Sequence, residues 1–315
     1  MSISVTGLTK TYGNQQAVRN ISFDVEQGEV VGFLGPNGAG KSTTMKIMTG
    51  YLAPTKGEVE ICGYSVAEES TNIRRKIGYL PEHNPLYPDM GVIDFLKFSG
   101  SLHRMGKKEL KRAVDYVVET CGLAPEAHKN IRELSKGYRQ RTGVAHALLH
   151  NPDVLILDEP TTGLDPNQIV DIRSLIKEAG REKTVLLSSH ILKEVEVTCS
   201  RVIIINDGEI VADEPTETLI RKTSGVKTYF VVLGGVDNPQ HTEQILETHF
   251  SKINPSDAGT KPGWHIETGE NTPFQQKLAD LCREHGWHVE ELRPVENSLE
   301  DIFRKLTSTS GDRES

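Results

Sequence analysis

The sequence predicts an α/β protein: a mixed sheet carrying a helical insert, followed by a small second α/β domain. Three observations predict it. Residues 30–34 are an apolar run that leads into a glycine-rich turn, residues 35–42, and then into a helix-forming stretch. The runs at 154–157, 185–187 and 202–205 are continuously apolar, as in strands of a parallel sheet covered by helices on both faces. Between 92 and 149 apolar residues recur at helical spacing, first at Val92, Phe95, Leu96 and Ser99, then at Leu110, Ala113, Val114 and Val117.

Taken in order, residues 3–5, 21–25 and 30–34 read as short strands, with Gly7, Gly13 and Gly28 marking turns. A helix follows over 43–48, which Gly50 can end. Pro54-Thr55-Lys56-Gly57 reads as a turn before a strand at 58–62, and a strand at 77–80 stops at Pro81. The helical insert occupies about 92–149. Helices at 168–179 and 192–199 then alternate with the apolar strands, and Asn206-Asp207-Gly208-Glu209 is a hairpin signal leading into 210–212. Beyond about 223 come a strand at 228–233, a helix at 241–253, a strand at 264–267, a helix at 274–285, a strand at 287–290 and a helix at 299–306. The expected organisation is a domain over 1–222, a second over 223–308, and a polar, disordered tail at 309–315.

Composition narrows the function. The chain has 315 residues, 36% hydrophobic and 25% charged, which suits a globular protein with a sizeable core. A net charge of −8 with no basic face or tail argues against a nucleic-acid partner. Cys62, Cys121, Cys199 and Cys282 are far apart and form no C-x-x-C pair, which fits a reducing compartment. The first residues read as a strand and lack the basic and apolar regions of a signal peptide. No apolar run approaches the roughly 20 residues that a membrane helix needs, so a membrane role must come through a partner.

The chemistry begins at Gly35-Pro36-Asn37-Gly38-Ala39-Gly40-Lys41-Ser42, which fits G-x-x-x-x-G-K-[ST] between a strand and a helix that continues with Thr43. The glycines let backbone N–H groups turn inward, and the helix N-terminus adds partial positive charge, so the loop cradles phosphate oxygens. Lys41 would reach the β- and γ-phosphates, and the Ser42 hydroxyl would hold Mg²⁺. Asp158 and Glu159 stand at the tip of an apolar strand, the first placed to hold Mg²⁺ and the second to polarise an attacking water. In Leu134-Ser135-Lys136-Gly137-Tyr138-Arg139-Gln140-Arg141, Ser135 and Gly137 open a helix, which makes an anion site or simply an N-cap. Thr162-Gly163-Leu164-Asp165-Pro166 reads as a turn into the next helix. His190 ends a strand at the sheet edge where parallel-sheet ligands bind, and Tyr12 could stack on an adenine ring.

The order of these motifs resembles the ATP-binding subunits of ABC transporters, over residues 1 to about 222. The resemblance implies a phosphate-loop ATPase domain with a helical subdomain, using ATP and Mg²⁺. It implies that Tyr12 stacks on adenine, Gly35 to Ser42 form the Walker A loop, Asp158 binds magnesium and Glu159 is the catalytic base. It further implies that Asp165 communicates between subunits, that His190 is the switch histidine, and that Ser135 and Gly137 contact ATP held on a second copy. Two ATP molecules would then be buried in a head-to-tail homodimer. The partner would be a separate integral membrane permease, with the chain on its cytoplasmic side.

Two positions depart from the family's usual text. LSGGQ appears as LSKGY, with Lys136 and Tyr138 replacing a glycine and a glutamine, and the glutamine expected after the strand at 77–80 is Glu82. Both look like the exporter subfamily with an ABC-2 type permease. Within it, residues 134–141 and 295–303 look closest to gliding motility-associated ATP-binding subunits. The competing reading is a soluble ABC-type ATPase acting on nucleic acid or ribosomes. A single cassette, no long heptads and a negative charge weigh against it.

Overall fold

The computed structural model describes residues 1–222, 226–250, 252–258, 261–269, 273–295 and 299–308. The tail at 309–315 and Glu296-Asn297-Ser298 of the terminal motif lie outside the described residues. The chain divides into one unit formed by Met1–Thr216 and Leu306–Ser315 and a second formed by Glu217–Lys305.

The first unit opens with a long hairpin, β1 (Ile3–Tyr12) and β2 (Gln15–Val25), before the buried strand β3 (Val30–Leu34) and helix α1 (Lys41–Met48). Next come β4 (Lys56–Ile61), β5 (Tyr64–Ser65), α2 (Ser70–Lys76) and β6 (Ile77–Leu80). The insert holds α3 (Val92–Leu102), α4 (Lys107–Thr120), two short 3-10 turns and α5 (Lys136–Leu148). Alternation then resumes with β7 (Val154–Asp158), α6 (Pro166–Ala179), β8 (Thr184–Ser188), α7 (Leu192–Thr198), β9 (Arg201–Asn206) and β10 (Glu209–Pro215), and α8 (Thr216–Lys222) carries the chain from the first unit into the second.

These strands form two sheets. One is antiparallel, in the order β2-β1-β4-β5; the other runs β10-β9-β3-β8-β7-β6. In the second, β9, β3, β8, β7 and β6 are parallel and β10 is antiparallel to β9, so the sheet is mixed as expected. A single apolar core joins Ile3, Val5 and Phe23 of the first sheet to Phe33, Ile156, Leu186 and Ile203 of the second, with Met45, Ile47 and Met48 of α1 fully buried in it. At about 1.5–3 kcal/mol for each fully buried side chain, this packing fixes α1 and the turn that precedes it.

The second unit is a four-stranded antiparallel sheet, in the order β12-β13-β11-β14. Its strands are β11 (Val226–Gly234), β12 (Lys252–Ala258), β13 (Lys261–Gly269) and β14 (His288–Val295). The helices of this part of the chain are α9 (Pro239–His249), α10 (Phe274–His285) and α11 (Leu299–Ser308). Leu246, Leu278 and Leu281 pack with Val231, Trp264 and Ile266 in a separate core.

Several local expectations need correction. Gly7 lies inside β1, not at a turn, and Gly57 lies inside β4. A Cβ on Gly57 would stand 2.4 Å from the Gly7 carbonyl oxygen, and the Gly57 φ is +87°, so glycine here permits close strand approach. The helix of the phosphate loop begins at Lys41, two residues earlier than expected. The helix expected over 241–253 ends at His249, and residues 252–258 form β12 despite Pro255. Strand β14 is longer than expected and contains Pro294. Both prolines fall on edge strands, the strands in which a position whose N–H faces outward can hold proline without losing a ladder bond. Helix α2 was not expected, because its segment is polar and buries only Ile73.

Candidate functional site

Parallel strands β3, β6, β7 and β8 bring their C-terminal ends to one sheet edge, where open α/β sheets bind ligands. The chain leaves that edge through the glycine-rich loop after β3, Glu82 after β6, Glu159 after Asp158 of β7, and His190 after β8.

The loop has the shape its sequence promises. Gly40 caps α1 at φ +107°, and a Cβ there would lie 2.6 Å from the Ala17 carbonyl oxygen. The first-turn N–H groups of α1, from Lys41, Ser42 and Thr43, have no carbonyl one helical turn behind them. Lys41 is buried, and its Nζ donates to the carbonyl oxygens of Gly35 at 2.7 Å and Pro36 at 3.2 Å. Burial pulls the Lys41 ammonium below its ordinary value, while Glu159, Asp158 and Glu82 pull it back up. Ser42 and Thr43 are half-buried, Ala39 is buried, and Asn37 and Gly38 face solvent.

Asp158 and Glu159 are buried as well, at 1% and 9% exposure. Asp158 Oδ1 accepts from the Ser188 hydroxyl at 2.6 Å, and the same hydroxyl accepts from the Glu159 N–H at 2.9 Å. Glu159 sits in the left-handed region, at φ 53°, which costs a non-glycine residue roughly 1–2 kcal/mol. Its Oε2 accepts from the Thr162 hydroxyl at 3.0 Å and lies 2.6 Å from His190 Nδ1. Both bonds fall on one oxygen, so Oε1 is engaged by neither.

The remaining residues are placed but not joined to this cluster. Tyr12 ends β1 with its ring half-exposed, and Lys10 Nζ lies 5.3 Å from the ring centre. Glu82 is exposed beyond β6 and acts on Lys41 through its charge. Ser135 caps α5 by accepting from the Tyr138 N–H at 3.3 Å, and Asp165 caps α6 by accepting from the Gln168 N–H at 2.9 Å. Among the described residues, neither cap bonds to the loop, to Asp158 or to Glu159. Their first turns interlock: a Cβ on buried Gly137 would strike the Gln168 carboxamide, and the Lys136 ammonium fills the place of a Cβ on Gly163. Arg141 ties the two helices further through an ion pair with Asp171.

Comparison with known proteins decides the family. The ABC transporter family model matches residues 18–162, and an AAA domain model matches 129–196. The bacitracin transport ATP-binding protein BcrA of Bacillus licheniformis is 35% identical over 306 residues, covering 96% of this chain and 96% of that protein. The chain belongs to the ABC transporter ATP-binding proteins. The linearmycin resistance ATP-binding protein LnrL of Bacillus subtilis (strain 168) is 34% identical, covering 97% of this chain and 98% of that protein. The Nod factor export ATP-binding protein I of Rhizobium meliloti (strain 1021) is 32% identical, with 98% and 88% covered. Among solved structures, a dimeric ATP-binding cassette, MJ0796, in a post-hydrolysis state bound to ADP and Pi aligns with TM-score 0.63. It is 29% identical and covers 68% of this chain and 98% of that one.

As an ABC transporter ATP-binding protein the chain is an ATPase that uses ATP with Mg²⁺. The residues present fit both. A buried ammonium held, among the described residues, by two loop carbonyls at the head of a helix suits a phosphate anion. The Ser42 hydroxyl and Asp158 carboxylate are the hard oxygen donors that Mg²⁺ takes. No group of three or more His, Cys, Asp or Glu side chains suited to a metal exists among the described residues. Mg²⁺ requires none, because one or two carboxylates suffice when phosphate oxygens and water complete its shell.

Sequence reasoning missed Thr162 and Ser188. Their signals are faint: a hydroxyl three residues after Glu159, and a hydroxyl closing the apolar strand β8. Only the sheet register, which sets Ser188 opposite Asp158, gives the second its meaning.

Proposed function

We propose that this ATPase drives export through a separate membrane permease of the ABC-2 kind, working as a homodimer with two shared ATP sites. The observation that carries it is the cluster of Lys41, Asp158, Glu159 and His190 on one sheet edge, with Ser135 and Gly137 on a helix start not joined to that cluster. A site so divided calls for a second copy to supply the Ser135 and Gly137 half.

In this reading the first-turn N–H groups of α1 and the Lys41 ammonium hold the phosphates, and Ser42 and Asp158 hold the metal. Bound Mg²⁺ would offset phosphate charge as the γ-phosphoryl group leaves. Glu159 Oε1 orients a water and takes its proton as the water oxygen attacks phosphorus in line and the bond to the β-phosphate oxygen breaks. His190 and Thr162 hold the other oxygen of Glu159 in place. Tyr12 stacks on adenine, Asp165 stands at the subunit junction, and Glu82 relays the nucleotide state towards the permease.

The words transport, resistance and export in the relatives' names support the direction, and LSKGY with Glu82 supports the permease type. Gliding motility is a finer setting of the same engine, proposed on residues 134–141 and 295–303 alone. No helix among the described residues is long and apolar enough to cross a membrane, so attachment to the inner membrane face would come through the permease. The second unit would steady or regulate the dimer. Co-purification of the tagged chain with an integral membrane protein encoded beside it, and stimulation of its ATPase by that protein, tests the proposal. A chain that purifies without such a protein and associates with ribosomes instead contradicts it.

A further inference from the structure

We infer that Ser188 is a positioning residue for the acidic pair, its one hydroxyl fixing the Asp158 carboxylate and the Glu159 backbone together. The inference rests on the reading of Asp158 and Glu159 as the metal-holding and water-activating groups. Parallel pairing of β7 with β8 sets Asp158 directly opposite Ser188. The serine is fully buried and Asp158 nearly so. A hydroxyl has one hydrogen to give and two lone pairs to accept with. Ser188 spends the hydrogen on Asp158 Oδ1 at 2.6 Å and accepts the Glu159 N–H at 2.9 Å.

Two consequences follow for the site. With Oδ1 of Asp158 committed to Ser188, Oδ2 is the oxygen left to face a metal. With its N–H anchored, Glu159 is kept in the left-handed conformation at φ 53°, which turns its side chain to Thr162 and His190. An apolar residue at position 188 would continue the pattern of Val185, Leu186 and Leu187. It would also leave a buried N–H without an acceptor and a buried carboxylate oxygen without a donor.

The test compares Ser188→Cys, which keeps the shape but donates weakly, with Ser188→Ala. Each full-length variant is assayed for kcat, for KM, and for the Mg²⁺ concentration at half-maximal binding of a fluorescent ATP analogue. Loss of a hydrogen bond to a charged group predicts kcat lowered about ten- to a hundredfold, more in Ser188→Ala than in Ser188→Cys, with a raised Mg²⁺ midpoint and nearly unchanged KM. A folded Ser188→Cys protein whose kcat and Mg²⁺ midpoint both equal those of the wild type overturns the inference. Asp158→Asn in the same assay separates the two claims. If it moves the midpoint while Ser188→Cys moves neither the midpoint nor kcat, the Ser188 role alone falls. If Asp158→Asn also leaves the midpoint in place, the metal reading falls with it.

Discussion

His190 Nδ1 lies 2.6 Å from Oε2 of Glu159, joining the second residue after β8 to the first residue after β7. The pair is asymmetric in burial: the glutamate side chain is 11% exposed and the imidazole 55%. The histidine can therefore meet a ligand from solvent while holding a carboxylate that is largely withdrawn from it. Replacing His190 by Ala leaves the Glu159 carboxylate, among the described residues, with the Thr162 bond alone. Turnover in His190→Ala is expected to fall about a hundredfold, the lower range for losing correct placement of a general base. Binding of ATP to the same variant, measured by fluorescence titration, is expected to change little. Equal losses in binding and turnover would place His190 in the binding cradle instead.

Gly40→Ala tests the loop's backbone. The substitution adds a Cβ 2.6 Å from the Ala17 carbonyl oxygen and forces alanine to φ +107°. A destabilisation of about 1–3 kcal/mol is expected, with nucleotide binding lost because the first turn of α1 shifts. Urea unfolding and nucleotide titration read the two effects. Wild-type values for both would show that the loop tolerates a side chain there.

Acid sensitivity follows from two buried histidines. Burial lowers both His146 and His150 to about 4, with His103 adding to the effect. The His150 Nε2 lies 3.0 Å from the Ile77 carbonyl oxygen, and its buried Nδ1 has no hydrogen-bond partner among the described residues, so a second proton would find no acceptor there. Both folded values are depressed below the unfolded 6.5. Between pH 6.5 and about 4 the unfolded chain therefore binds more protons, and stability falls as pH falls through that window. Each histidine contributes at most about 1.4 kcal/mol per pH unit. In urea unfolding at several pH values, the His146→Gln, His150→Gln double variant should lose less stability between pH 7 and 4.5 than the wild type. An equal loss in both proteins would assign the acid sensitivity to groups other than these two histidines.

The legible parts of this chain are those whose chemistry fixes a local spacing. The phosphate loop, the Asp158–Glu159 strand end and the His190 strand end can each be read within eight residues, and the continuous apolar runs place them on one sheet. Helix α2 was illegible because only Ile73 among its residues is buried. Strand β12 was hidden by Pro255, whose tolerance depends on an edge position that the sheet order alone reveals. The bonds from Ser188 and Thr162 to the acidic pair were equally hidden. Ser188 reaches Asp158 across thirty positions of sequence, and a hydroxyl in a strand carries no sign of what it faces.

In the proposed mechanism Glu159 activates water in an ATP site completed by a second copy. The most direct measurement is the turnover and mass of Glu159→Gln with ATP and Mg²⁺, the mass read by sedimentation. The amide keeps the size of the side chain but cannot take the proton. ATPase activity is expected to fall about 10²–10⁴-fold, with a stable dimer that forms only when ATP is present. Near wild-type turnover, or a monomer that holds ATP, would contradict it.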